Sequence, residues 1–299
     1  MPATAPVPRS QIIQTATPAV IAAALAAGIA FSAPGLPPDP SLPPAAAPRT
    51  VTVPGATFVY RDHGEYRKGN MTVDAPMATV SRAPDLEITK YQITAEQYAA
   101  CVADGECAAA ETKDTGPYPV TGVSHDDATA YARWLSARSD ADWRLPTDAE
   151  AAQAAGSEFP DDALGIDPDS TNPALRWIAD YEREAALRRA STPAARPTGA
   201  YGENDNGLAD FAGNVWEWTS TCHRRVQLNA GGIVDRVEPV CGVYVTVGKH
   251  RSPMSAFIRD PKSGGCAVGT PPENLGFRLV REERGLLAGL ARYFTRTEH

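Results

Sequence analysis

Histidine is scarce in this chain: five in 299 residues, at His63, His125, His223, His250 and His299. Cys222, His223 and His250 are a conceivable metal grouping, but their spacing is not diagnostic. The sequence has no Ser-His-Asp arrangement, no Gly-rich phosphate loop and no Cys-x-x-Cys pair, so nucleophilic triads, phosphate cradles and dithiol couples have no support. Basic excess is also missing. Lys and Arg number 28 against 36 Asp and Glu, a net charge of −8. Nucleic acid and anionic membrane surfaces are thereby excluded as main partners, because phosphate binding needs a basic face. No internal repeat of fixed period is present. Long apolar runs are absent as well. The longest, Ala19–Ala33, falls short of the about 20 residues that a spanning helix needs.

That run has Arg9 before it and small residues around Ala30-Phe31-Ser32, the pattern of a secretory signal. An uncleaved membrane anchor is the alternative, and a disordered Ala/Pro tail on a cytosolic protein is the third reading. The domain layout expected is a signal or anchor over 1–33, a Pro-rich linker over 34–50, a folded domain over 51–281 and a C-terminal helix over 282–299. The expected location is periplasmic or secreted, with membrane contact only through an uncleaved N-terminal segment.

Cysteine is sparse and odd in number: Cys101, Cys107, Cys222, Cys241 and Cys266. At least one is free or pairs between chains. Cys101 and Cys107 flank an Asp104-Gly105 turn and can close a small loop. Cys222 with Cys241 is a second possible bridge. Inert thiols are the alternative, and the compartment decides between the two.

What the chain has in quantity is Gly (24) and Pro (27), which point to a loop-rich fold. Val51–Tyr60 alternates around Pro54-Gly55 and reads as two short strands. Asp85–Ile93 adds another. Thr94-x-x-Gln97 is a capping box. Ser124-x-x-Asp127 and Thr147-x-x-Glu150 open two further helices. Ala128, Tyr131, Ala132 and Leu135 follow the spacing of a buried helical face. Asn172-Pro173 starts a fourth helix, with Leu175, Ile178, Ala179, Tyr181 and Ala185 on its apolar side. Val240–Val247 and Leu275–Val280 read as strands.

The densest stretch is Gly207–Ser220, which places two tryptophans and two glycines beside Asp210, Asn214 and Glu217. Glycine inside a helix costs roughly 1 kcal/mol against alanine. Buried polar groups left unpaired cost about 1–3 kcal/mol each. The stretch therefore reads as a buried irregular turn whose polar groups are met by backbone or by an ion.

Gly213-Asn214-Val215-Trp216-Glu217-Trp218 resembles the signature of the formylglycine-generating-enzyme (sulfatase-modifying factor) family. Asn274-Leu275-Gly276-Phe277-Arg278 resembles its closing segment. Pro119–Ser124 with Asp127-Ala128 and Arg144–Glu150 resemble its helix entries. A Trp that usually follows that Glu is replaced by Ala151. The resemblance implies an α+β, C-type-lectin-like fold, loop-rich, with short helices around small antiparallel sheets. It also implies a structural calcium held by the side chains of Asp210 and Glu217 and the carbonyls of Gly213 and Val215, since calcium takes six to eight oxygens. Arg251, Arg259 and His250 fall near the family's substrate groove.

The family enzyme oxidises a substrate cysteine with O2 and copper, and two cysteines just after a Gly-Gly-Ser strand hold the metal. Here Cys241-Gly242-Val243-Tyr244 corresponds to that strand. The stretch Val245–Pro253 has no cysteine, and Lys249, His250 and Ser252 do not replace soft thiolates. The iron-dependent activity on this scaffold needs a His-x-x-x-His-x-Glu cluster, which is absent. Neither copper nor iron is expected, and no catalytic residue is assigned. The expectation is an exported accessory or binding protein without formylglycine-generating activity. Phe58–Arg61 and Lys90–Thr94 are similar to a subgroup linked to copper nitrite reductase, which makes such a periplasmic metalloenzyme the expected partner. A diverged metal-dependent oxidase acting on a protein or thiol is the alternative.

Overall fold

The computed structural model describes residues 45–112, 114–166, 170, 172, 174–189, 194–248, 251–260 and 275–284. The expected signal, most of the linker, His250, Cys266 and residues 285–299 of the expected C-terminal helix lie outside the described residues, while Glu282 and Glu283, expected to open that helix, lie in a strand.

Three capping boxes start the short helices. Thr94 Oγ1 accepts from Gln97 N–H at the head of α1 (Ala95–Ala103), while Gln97 Oε1 accepts from Thr94 N–H. Ser124 and Asp127 do the same for α2 (His125–Ala137), and Thr147 and Glu150 for α3 (Asp148–Ala155). Aspartate thus replaces the usual Glu or Gln without loss of the reciprocal bond. The Asn172-Pro173 helix forms as α4 (Ala174–Arg189). Its apolar side is not covered: Leu175, Ile178 and Tyr181 are exposed.

The strands form three sheets, giving the mixed α+β class expected. β1 (Thr50–Val53), β6 (Leu86–Thr89), β12 (Val280–Glu283) and β7 (Ala141–Arg144) make one, in that spatial order. The second runs β10 (Ser252–Ser255), β9 (Val234–Val247), β8 (Trp216–Leu228), β3 (Glu65–Lys68), β4 (Met71–Val73), with β11 (Leu275–Gly276) parallel to β8. β2 (Phe58–Arg61) and β5 (Met77–Val80) pair alone.

Sequence reading is corrected in three places. β1 and β2 both form but do not pair with each other; β1 pairs with β6 and β2 with β5. The Pro54-Gly55 link instead lies on the 83–85 backbone, where a Cβ on Gly55 would sit 2.3 Å from the Ala83 carbonyl oxygen. β9 begins at Val234, not Val240, because its polar first half is a hairpin arm against β8. The closing strand splits into β11 and β12, since Phe277-Arg278-Leu279 dips into the core between them.

The main core gathers Tyr98, Tyr131, Leu135, Trp216, Trp218 and Phe277, all buried. Trp218 Nε1–H donates to the Val123 carbonyl at 2.9 Å, so the signature strand is anchored on the entry to α2. Two disulfides are formed, Cys101–Cys107 and Cys222–Cys241. The first closes the end of α1. The second joins β8 to β9 where their register shifts around Cys222.

Candidate functional site

The signature turn is built around glycine and an inward carboxylate. A Cβ on Gly213 would meet the Tyr201 ring at 2.4 Å, so Tyr201 lies directly on the glycine. Asp210 adopts the left-handed region, φ 64°, unusual for a residue with a side chain. Its carboxylate holds that conformation by accepting from the N–H groups of Gly199 (2.5 Å) and Tyr201 (2.8 Å). Asn214 bonds both ways with the backbone of Arg196, at 2.9 and 2.8 Å.

Glu217 points the other way, into the core. Arg278 Nε–H donates to Glu217 Oε2 at 2.5 Å and Arg278 Nη2–H to Oε1 at 2.6 Å. Gln92 Nε2–H adds a bond to Oε1 at 2.7 Å and reaches the Asp210 carbonyl at 3.3 Å. Arg278 spends its other N–H groups on the carbonyls of Thr89, Lys90 and Ala209. All five guanidinium donors are used. The closing segment delivers this arginine because a Cβ on Gly276 would sit 2.6 Å from the Val120 carbonyl. Only glycine lets the two motifs approach this closely.

This arrangement does not favour the calcium expected at Asp210, Gly213, Val215 and Glu217. Both oxygens of each carboxylate already accept from protein donors. The positive charge beside Glu217 is a guanidinium, and a cation sharing that carboxylate would be repelled by it.

The charged centre lies elsewhere, in a cleft of about 290 Å³ whose lining includes Asp62, His63, Asp162, Arg176, His223 and Arg251. Arg251 stands just before β10 and is almost fully buried. Its Nε–H donates to Asp162 Oδ2 at 2.8 Å and its Nη1–H to Asp148 Oδ2 at 3.0 Å. Its guanidinium lies over the Phe159 ring, 5.2 Å from the centroid. Burial works to lower the Arg251 pKa, but the Asp148 and Asp162 charges outweigh it and raise it. Asp148, 1% exposed, has one carboxylate oxygen without a hydrogen bond. Burial pushes its carboxyl above the ordinary range, opposed mainly by Arg251.

His63 Nδ1 lies 3.4 Å from Asp62 and 3.7 Å from Asp148. Asp62 also takes bonds from Tyr66 and Arg224. Burial works to raise the Asp62 pKa, and the bonds from His63 and Tyr66 with the Arg224 charge outweigh it, holding it low. Tyr60 nearby is pushed up to about 12 by burial and by the Asp148 and Asp62 charges.

The expected groove trio therefore divides. Arg251 lines the cleft. Arg259 does not; it donates to Asp127 Oδ1 at 2.9 Å and to the Ala109 carbonyl, bracing the head of α2. His250 lies outside the described residues. The copper site that the family resemblance implies has no free thiol to meet it among the described residues. Cys222 and Cys241 are joined to each other, and the stretch Val245–Pro253 carries no cysteine. Copper therefore does not fit the described residues. Sequence reading missed Asp62, His63, Asp148 and Asp162. The available signal was Arg144–Glu150, a recognised segment in which Asp148 had been given no task.

His125, the first residue of α2, is buried between rings. It stacks on Tyr244 with centroids 3.6 Å apart and meets Trp218 edge-on at 5.7 Å. Its Nδ1 lies 3.9 Å from the exposed Asp126 carboxylate. Burial lowers its pKa. The unfolded chain takes up this proton below about pH 6.5, while the folded chain resists it. The contribution is thus present above pH 6.5 and lost as pH falls through the folded value. His125→Phe keeps the stack, and the melting temperature of that variant is expected to fall less than wild type between about pH 7 and pH 5. An identical fall in both, followed by circular dichroism, would remove His125 from this account.

Residues 38–283 match the family model described as "Sulfatase-modifying factor enzyme 1-like domain". A formylglycine-generating enzyme of Streptomyces coelicolor is 36% identical over 181 residues, 55% of this chain and 53% of that protein. One from Mycobacterium tuberculosis is 37% identical over 116 residues, 36% of this chain and 35% of that protein. The chain spans about half or less of the length of these curated relatives. The structure of PvdO from Pseudomonas aeruginosa superposes with a TM-score of 0.51 at 22% identity, covering 81% of this chain and 100% of that one. That likeness concerns the fold alone.

Proposed function

The chain belongs to the sulfatase-modifying-factor family, and from that premise we propose that it is an exported accessory or binding protein without formylglycine-generating activity. The observation that carries this reading is Arg251. It occupies the stretch after the β9 turn, where the resemblance implies copper-binding thiols, and its guanidinium is locked between Asp148 and Asp162. A cationic side chain with two carboxylate partners neither binds Cu(I) nor activates a thiol. The Cys222–Cys241 bridge takes those two thiols out of play.

The same bridge and Cys101–Cys107 support export, since disulfides persist in oxidising compartments and are rare in the cytosol. In this reading the scaffold is kept for presentation. The cleft around Arg251 offers charged groups of both signs to a polar partner surface. The partner proposed is a periplasmic metalloenzyme such as copper nitrite reductase. A gene neighbourhood without a denitrification gene would remove that partner.

The activity itself is tested with purified protein, a copper salt, a reductant, air and a sulfatase-derived cysteine peptide, followed by mass spectrometry. The peptide cysteine is expected to remain unchanged. Catalytic appearance of the aldehyde would overturn the proposal in favour of a diverged oxidase.

A further inference from the structure

The hairpin of β8 and β9 ends in an open edge. β10 pairs only with Val243–Thr246 of β9. The outer edge of Val234–Val240 has no strand against it among the described residues. Its inner edge is held by β8, from Leu228 back to His223. The hairpin end is fixed by Asn229, whose Oδ1 accepts from Gly231 N–H at 2.9 Å and Ile233 N–H at 3.0 Å. The edge is therefore preformed.

Three rows of side chains run across the sheet to this edge. One is apolar: Val73, Tyr66, Val226 and Val237 stand in register on successive strands. The first three are buried together, but Val237 is left 46% exposed. The other rows are charged. Glu65 faces Arg225, which faces Glu238; Arg67 faces Gln227, which faces Arg236. Charge along the first alternates in sign and stops at Glu238 on the open edge.

We propose that this edge pairs antiparallel with the same edge of a second copy of the chain, about a two-fold axis at Val237. That register sets Val237 against the partner's Val237 and completes the apolar row. It also sets Arg236 against the partner's Glu238, and Glu238 against the partner's Arg236. The alternation of charge then continues across the axis. Cross-strand neighbours must share a face, so the axis can move only in whole-residue steps. A step to Arg236 or to Glu238 opposes like charges, which is destabilising. Pro239 and the charged residues guard the edge against indiscriminate pairing while leaving this register open. This self-complementarity selects a second copy over an unrelated strand. The contact is one short strand pair, so association is weak and concentration-dependent.

Sedimentation velocity on the full chain over a wide concentration range tests this. Wild type is expected to shift reversibly from monomer to dimer. Arg236→Glu and Glu238→Arg each turn two opposite pairs into like pairs and are expected to weaken association about tenfold or more. The doubly exchanged chain restores the dimer, and an equimolar mixture of the two single variants forms a heterodimer. Both sites are exposed, and unchanged circular dichroism confirms that the variants fold. A wild type that stays monomeric throughout overturns the proposal. So does a dimer that both single variants leave intact.

Discussion

Arg278→Met is expected to destabilise the protein by about 3–5 kcal/mol, because removing one partner of a buried ion pair leaves the other charge uncompensated. Arg278 and Glu217 are both about 1% exposed at the side chain. The variant strands the Glu217 carboxylate in the core and leaves the carbonyls of Thr89, Lys90 and Ala209 without this donor. For a domain of this size the loss corresponds to roughly 6–20 °C in melting temperature. Differential scanning calorimetry reads it directly. Adding Glu217→Gln to the variant is expected to recover part of the loss, since the stranded charge is then gone. A calcium chelator is expected to leave the wild-type melting temperature unchanged. A chelator effect as large as that of Arg278→Met would return the central turn to calcium.

Arg251→Met is expected to cost a similar about 3–5 kcal/mol at neutral pH, with a different dependence on acidity. Asp148 then loses its main counter-charge while remaining buried. Its carboxyl, already above the ordinary range through burial, rises further. The folded variant binds a proton that the unfolded chain releases above about pH 4, so its stability declines as pH rises. The deficit relative to wild type is therefore expected to be larger at pH 7.5 than at pH 5. Urea denaturation at the two pH values measures it. Asp148→Asn in the same chain should flatten the difference. A deficit independent of pH would mean that Arg251 acts by packing on Phe159 rather than by charge.

The parts of this fold that were legible in the sequence are those written locally. The three capping boxes join residues three apart, so Thr94, Ser124 and Thr147 mark their helices without knowledge of the rest. The Gly213–Trp218 motif showed that a buried irregular turn precedes a strand of tryptophans. It did not show what neutralises Glu217, because Arg278 lies 61 residues further on. Nothing in spacing distinguishes a guanidinium from a cation at that carboxylate. The charged cleft was illegible for the same reason. Asp62, Asp148, Asp162 and Arg251 come from four separate segments, and only tertiary folding brings them together. The hairpin arm over 234–240 was missed because Asp235, Arg236, Glu238 and Pro239 break the apolar alternation by which half-buried strands are recognised. That departure is itself the mark of an exposed edge.

The central proposal is that the stretch Val245–Pro253 offers an ion-paired Arg251 and no thiol to copper. The direct measurement is a titration of the oxidised, purified protein with Cu(I) against a chromophoric competitor. The account predicts that the competitor keeps the metal and that Arg251→Ala changes nothing. One equivalent of Cu(I) taken from the competitor by wild type, with both disulfides intact, would contradict it.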